Sequence, residues 1–159
     1  MNFKDIQLKV QPKESGLEDL IFVIMDLPYL CDSYWFQRDP LFIDVAYHQK
    51  VFKVLLKLLD QWANCVAGAD ELDILYLPFE LGSQYTRCLC VEVSGKECNV
   101  AVGLLSYDGY AVNPSDISDY VRSSAKFGCE TSQWSSCRDD FVAIVQLMID
   151  SVVLQQEAA

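Results

Sequence analysis

Few side chains in this sequence are equipped for bond-making chemistry. His48 is the single imidazole among 159 residues, and a serine or cysteine nucleophile of the triad kind needs such a base within hydrogen-bond reach. It falls on the apolar stripe of a helical repeat, which predicts a core or boundary position rather than a catalytic one. Cys137 follows Ser135 and Ser136, a predicted helix cap where backbone N–H groups lower a thiol pKa, but no role in catalysis is expected of it. Zinc sites want paired Cys or His ligands at roughly two- to four-residue spacing, twice over. Cys88-Leu89-Cys90 has a single residue between its thiols and no second pair. None of the seven glycines falls in a GxGxxG or P-loop pattern, so no phosphate cradle is expected. Carboxylate pairs remain, yet 23 acids offer so many that none stands out. The reading is of a protein that is not an enzyme and takes no metal or cofactor.

Charge is the unusual quantity. Twelve Lys and Arg against 23 Asp and Glu leave a net charge of -11. Nucleic acid and anionic membranes are held by Lys and Arg, so neither is an expected partner, and a basic protein is. From Asp70 to Thr86 there are four acids, Asp70, Glu71, Asp73 and Glu80, and no base. Between Asp108 and Ala159 eight acids, among them Asp108, Asp116, Asp119, Asp139 and Asp140, face Arg122, Lys126 and Arg138. Aromatics lie close by in sequence, Tyr110 among them. Buried aromatics anchor an interface while surrounding charge speeds encounter. These ten positions, Asp70, Glu71, Asp73, Glu80, Asp108, Tyr110, Asp116, Asp119, Asp139 and Asp140, are therefore the expected partner-binding residues.

The elements that position them are legible to different degrees. Phe3, Ile6, Leu8 and Val10 alternate as a short strand before a turn at Pro12 to Gly16. Leu17 to Met25 suits either a buried strand or a helical turn, ended by Leu27-Pro28-Tyr29. Val45, His48, Phe52, Leu55, Leu56, Leu59 and Trp62 recur at three and four, with Lys50, Lys53, Lys57 and Asp60 largely opposite. That spacing predicts an amphipathic helix over Pro40 to Asn64, with Asp39 as N-cap. Ile74 to Phe79, Tyr85 to Val93 and Asn99 to Leu105 read as strands, the last two joined by a hairpin at Ser94-Gly95-Lys96. Asn113-Pro114 is expected to cap a short helix, and Ser135 or Ser136 a long one running to about Gln156. The sum is a single α+β domain over residues 1–159: a mostly antiparallel sheet of four to five strands with two long amphipathic helices packed on one face. The start Met1-Asn2-Phe3-Lys4-Asp5 lacks the basic cluster and apolar run of an export signal, and the longest apolar run is too short to span a bilayer. With seven cysteines, an odd number, the expectation is free thiols in a cytoplasm.

Three short motifs carry a resemblance. Ser33-Tyr34-Trp35 stands ahead of the first long helix, Asn113-Pro114-Ser115-Asp116-Ile117 at the short one, and Ser132-Gln133-Trp134 ahead of the last. In this order of elements, over about residues 33–152, the chain resembles the bacterial immunity proteins of contact-dependent inhibition and other polymorphic toxin systems. The resemblance implies a non-catalytic inhibitor that binds the toxin domain of its cognate effector in the cytoplasm. Such toxins are often nucleases with a basic cleft, which an acidic inhibitor would fill. The alternative is an acidic type III secretion chaperone that holds an effector segment as a dimer. Those chaperones usually open with a helix, whereas this N-terminus reads as strand and turn.

Overall fold

A computed structural model describes residues 6–159; the expected strand position Phe3 lies outside them. The fold is α+β, with antiparallel sheets and two long helices. Strands β1 (Ile6–Val10), β2 (Leu20–Ile24) and β3 (Leu27–Cys31) form a small sheet in that order. Two 3-10 turns, Ser33–Arg38 and Pro40–Phe42, lead to helix α1 (Tyr47–Ala67). Strands β4 (Ile74–Leu81), β5 (Thr86–Ser94) and β6 (Glu97–Leu105) make the second sheet. A 3-10 turn at Gly109–Ala111 and the short helix α2 (Ser118–Val121) follow. Two brief strands, β7 (Phe127–Cys129) and β8 (Trp134–Cys137), lead to helix α3 (Arg138–Ala158).

The ambiguous segment at Leu17 to Met25 is a strand, and Leu27-Pro28-Tyr29 does not stop it but begins the next. Met25 and Asp26 form a two-residue turn with φ of 53° and 65°, the left-handed geometry that matches hairpin twist. Non-glycine residues in that region are uncommon, which hides the turn from sequence patterning. Pro28 is tolerated because β3 is an edge strand that pairs only with β2. Along β1 the alternation is as expected, with Ile6, Leu8 and Val10 buried and Gln7 and Lys9 exposed.

The first long helix begins at Tyr47, not Pro40. Asp39 does accept a capping bond from the Leu41 amide at 2.9 Å, but the segment it caps is a single 3-10 turn. His48 is consequently an exposed first-turn residue rather than part of the apolar stripe, and Lys50, placed on the polar side by periodicity, is buried. From Val51 onward the expected stripe holds, through Phe52, Leu55, Leu59 and Trp62. The Asn113 cap is also not formed. Ser115 donates its amide and hydroxyl to the buried Asp39 carboxylate, at 2.8 and 2.7 Å, and Gln61 donates to the Pro114 carbonyl at 2.9 Å. These bonds hold Asn113 to Asp116 as a tight turn, closed by the Asp116 amide donating to the Asn113 carbonyl at 2.9 Å, so α2 starts only at Ser118. Nor do Ser135 and Ser136 cap α3; both lie in β8, which stays paired with β6 as far as Cys137 opposite Glu97.

The β5–β6 hairpin has the expected turn, Gly95 taking φ of 60°. Across the sheet Leu75 and Leu77 face Val91 and Leu89, while Tyr76 and Pro78 face Cys90 and Cys88. Both sets are largely buried, so the sheet is a middle layer. Gly103 admits β7: a Cβ there would overlap the Gly128 carbonyl and the Phe127 ring. Helix α3 packs Phe141, Val145, Met148 and Val152 into the shared core. It is also, among the described residues, the one helix long and apolar enough to cross a membrane by length and composition.

Candidate protein-binding surfaces

The topology sorts the ten sequence-predicted residues into two ends and a flank. Strand β4 rises from the Asp70 to Asp73 turn and falls at Gly82 into β5, so those turns mark opposite ends of the second sheet. At the first end the turn is pinned by Leu72 N–H to Val93 O at 3.0 Å and Val93 N–H to Asp73 O at 2.8 Å. The start of α3 is tied to the same end. Arg138 donates its guanidinium to the carbonyls of Ala69 and Gly95, both at 2.8 Å, and its amide to Lys96 O at 2.7 Å. Asp70, Glu71, Asp73, Asp139 and Asp140 are thus brought together from distant parts of the sequence. Leu72 projects from the turn, 80% exposed and with φ of 69°. Asp73 is less of a free charge than its neighbours. It accepts the Asp70 amide at 2.8 Å and the Arg122 guanidinium at 3.2 Å, which together hold its carboxyl below the usual range.

At the other end the dominant chemistry is aromatic. Gly109 donates its amide to Gly82 O at 2.9 Å, and Asp108 Oδ1 accepts from the Tyr110 amide at 2.9 Å, which fixes where the Tyr110 ring emerges. That ring, 55% exposed, meets Trp35 edge to face at 4.7 Å and carries the Arg38 guanidinium 4.5 Å above its centroid. Tyr34 stands against Trp35 at 6.0 Å. The 3-10 turn bearing Tyr34, Trp35 and Arg38 is held from below. Asp19 accepts from the Ser33 amide at 2.9 Å and hydroxyl at 2.6 Å, and Asp39 anchors Ser115. Burial and the nearby Asp19 charge raise the Tyr47 hydroxyl pKa against its hydrogen bond with Ser33, keeping that hydroxyl protonated in the network.

The remaining predicted residues divide further. Glu80 is not free surface charge: it pairs with Arg87, which also binds Glu130 at 2.8 Å and lies over the Tyr29 ring at 5.4 Å. Those bonds, Glu130 foremost, keep the guanidinium firmly charged. Glu80 therefore ties β4 to β5 within the second sheet, and Arg87, through its place over Tyr29, reaches the first. Asp116 accepts from the Ser118 amide at 3.2 Å and hydroxyl at 2.6 Å, bonds that lower its pKa, and lies just before α2, on which Asp119 is exposed. Sequence reasoning missed Trp35, Tyr34 and Arg38 as members of the Tyr110 surface. Their motif was visible, but nothing in the order of residues says that Ser33–Arg38 folds against Gly109–Ala111.

The same packing constrains other chemistry. His48 borders a cleft that Gln155 and Ala158 also line, at the far end of α3 from Cys137. At 1.5 Å per residue that separation is about 27 Å, so the two do not form a dyad. Burial pushes the Cys88 and Cys90 thiols up to about 12 and Cys98 up to about 11, leaving them inert at neutral pH. All seven cysteines are unbridged. Among the described residues no group of three or more His, Cys, Asp or Glu side chains is close enough to hold a metal ion. A scan against protein-family models, a search of curated proteins and a search of solved structures each return no match.

Proposed function

We propose that the chain is a non-catalytic protein-binding module, an immunity protein that neutralises a basic toxin domain in the cytoplasm. The observation that carries this reading is the surface cluster of exposed Tyr34, Tyr110 and Arg38 around half-buried Trp35, beside Asp108. Trp, Tyr and Arg supply most of the binding energy at protein interfaces, and rings already stacked on one another lose little freedom on docking. The net charge of -11 adds attraction at long range to a cationic partner, which raises the encounter rate. The acids at the Asp70 to Asp73 end contribute to that field without contacting the anchor surface. Toxin domains that hold nucleic acid carry the complementary charge.

The test is direct. The chain is mixed with the C-terminal domain of the protein encoded immediately upstream, and complex formation and protection of cells expressing that domain are scored. A stoichiometric complex with restored growth is the expected result; no complex and no protection overturns the reading. The secretion-chaperone reading draws support from a different observation, the outward Leu147 and Leu154 of α3, each 66% exposed. It requires a dimer in solution, so a monomeric sedimentation mass removes it.

A further inference from the structure

We propose that the outward face of α3 is a docking surface for a basic amphipathic helix of a protein partner. The core side of α3 is filled by Phe141, Val145, Met148 and Val152, all buried. Leu147 and Leu154 point the other way, each 66% exposed. They share a stripe with half-buried Ile144 and Ser151 and exposed Ala158, and the spacing along it alternates between three and four, as on a helix that packs against another helix. The small side chains of Ser151 and Ala158 leave holes between the larger ones for a partner's apolar residues.

The other long helix shows the contrast. On α1 the exposed positions are polar, Lys53, Lys57, Asp60 and Asn64 among them, and no large apolar side chain is exposed there. Helix α3 is apolar enough along its length to cross a membrane, yet most of it lies outside the core. A helix that is apolar on all sides is normally buried on all sides.

Charge identifies what buries this one. After Arg138 the helix carries Asp139, Asp140, Asp150 and Glu157 and no base, and the Arg138 guanidinium is turned back onto the carbonyls of Ala69 and Gly95. Asp150 and Glu157, both exposed, lie one heptad apart along one border of the leucine stripe. Asp150 accepts from Gln146 at 3.1 Å, and neither acid forms an ion pair among the described residues. Charges beside such a seam select the partner, and Lys or Arg flanking the partner's apolar stripe complements these acids. Lys9 and Lys13 border the end of the stripe, in the cleft that Gln155 and Ala158 share, so the partner's bases belong toward Asp150. A second copy fits poorly. An isologous contact would set the acidic border against itself and join two chains of net charge -11. Anionic lipid is repelled for the same reason.

The probe is a synthetic peptide of about five helical turns, with Leu at the seam positions and Lys elsewhere, titrated into the full chain at about 0.15 M salt. Beside it runs a peptide of the same composition whose leucines share no face. A saturable one-to-one complex with the patterned peptide, and binding about tenfold weaker or worse with the scrambled one, is expected. Equal affinity for the two overturns the proposal, because charge alone would then hold both. Leu147→Gln and Leu154→Gln, at exposed positions where glutamine preserves helix propensity, should each weaken the patterned peptide about tenfold, the cost of one leucine left unburied. Asp150→Lys together with Glu157→Lys should weaken it several-fold and flatten its salt dependence. Unchanged affinity in either set overturns the proposal. A concentration-dependent dimer that Leu147→Gln abolishes overturns it in favour of a second copy, and binding to phosphatidylcholine vesicles that the same substitution abolishes overturns it in favour of a membrane. No toxin enters these measurements, so this surface and the immunity reading fail separately.

Discussion

The Asp70 to Asp73 tip and the Trp35–Tyr110 end are both exposed turns at opposite ends of one sheet, and they are built for different work. The tip carries five carboxylates drawn from two segments, held by backbone bonds to Val93 and by the Arg138 and Arg122 guanidiniums. Its side chains are mostly solvated, so each acts through the long-range field, screened beyond about 8 Å at physiological ionic strength. The aromatic end carries three rings and a guanidinium that touch one another and rest on the buried acids Asp19 and Asp39. Acids thus play two roles here. Exposed ones shape the field, and buried ones hold the scaffold that aims the rings.

The sharpest way to break that distinction is Asp39→Ala. It strands the Leu41 and Ser115 amides and the Ser115 hydroxyl in a buried site, and should lower stability by about 3 kcal/mol, read as an earlier urea midpoint. A midpoint that stays put would mean that the aromatic end does not depend on this acid. Next in size, Trp35→Ala should weaken a bound partner by about 2 kcal/mol, mainly by faster dissociation, and, because the half-buried ring also packs against the core, should lower the urea midpoint as well, so binding is read on the folded variant. If dissociation kinetics are indifferent to Trp35, the anchor lies elsewhere.

Charge reversal at the tip should do less to affinity and act on a different rate. Lys at Asp70, Glu71, Asp139 and Asp140 together should slow association several-fold at low salt and flatten its salt dependence, leaving dissociation alone. Loss of the two first-turn acids of α3 should also remove about 0.3 to 1 kcal/mol of helix stability each, measurable by denaturation. The smallest effect is at Asp73. Its folded pKa lies below the ordinary 3.8, so the unfolded chain binds more protons and the carboxylate stabilises the fold at pH above that value. That contribution fades as pH falls from about 3.8 through the lower folded pKa. Asp73→Asn should therefore flatten the acid limb of a stability-against-pH curve in that window alone, and an unaltered limb would remove Asp73 from the tip's electrostatics.

Strands β4 to β6 were readable in the sequence because each is an apolar run of eight or nine residues with β-branched or aromatic side chains bounded by turn formers, and the β5–β6 turn holds a glycine. The apolar stripe of α1 from Phe52 to Trp62 and that of α3 were readable for the same reason, a sustained period. The β2–β3 hairpin was hidden by a turn made of Met25 and Asp26, and β7 and β8 by lengths of three and four residues, too short for a period to emerge. His48 and Lys50 exchanged their expected places because they lie in the first turn, where the helix meets the Gln37 and Asp39 carbonyls rather than the core.

Composition and periodicity, which are local properties, determined on their own that the chain is acidic, of α+β class and lacking the familiar catalytic motifs. Tertiary structure alone decided which acids are solvated charge, which are ion-pair cement and which are buried anchors, since hydrogen-bond partners such as Asp39 and Ser115 are 76 residues apart. It also decided that Trp35 and Tyr110 form one surface. Contacts at that separation are set by how helices and sheets pack, and packing depends on the whole core at once.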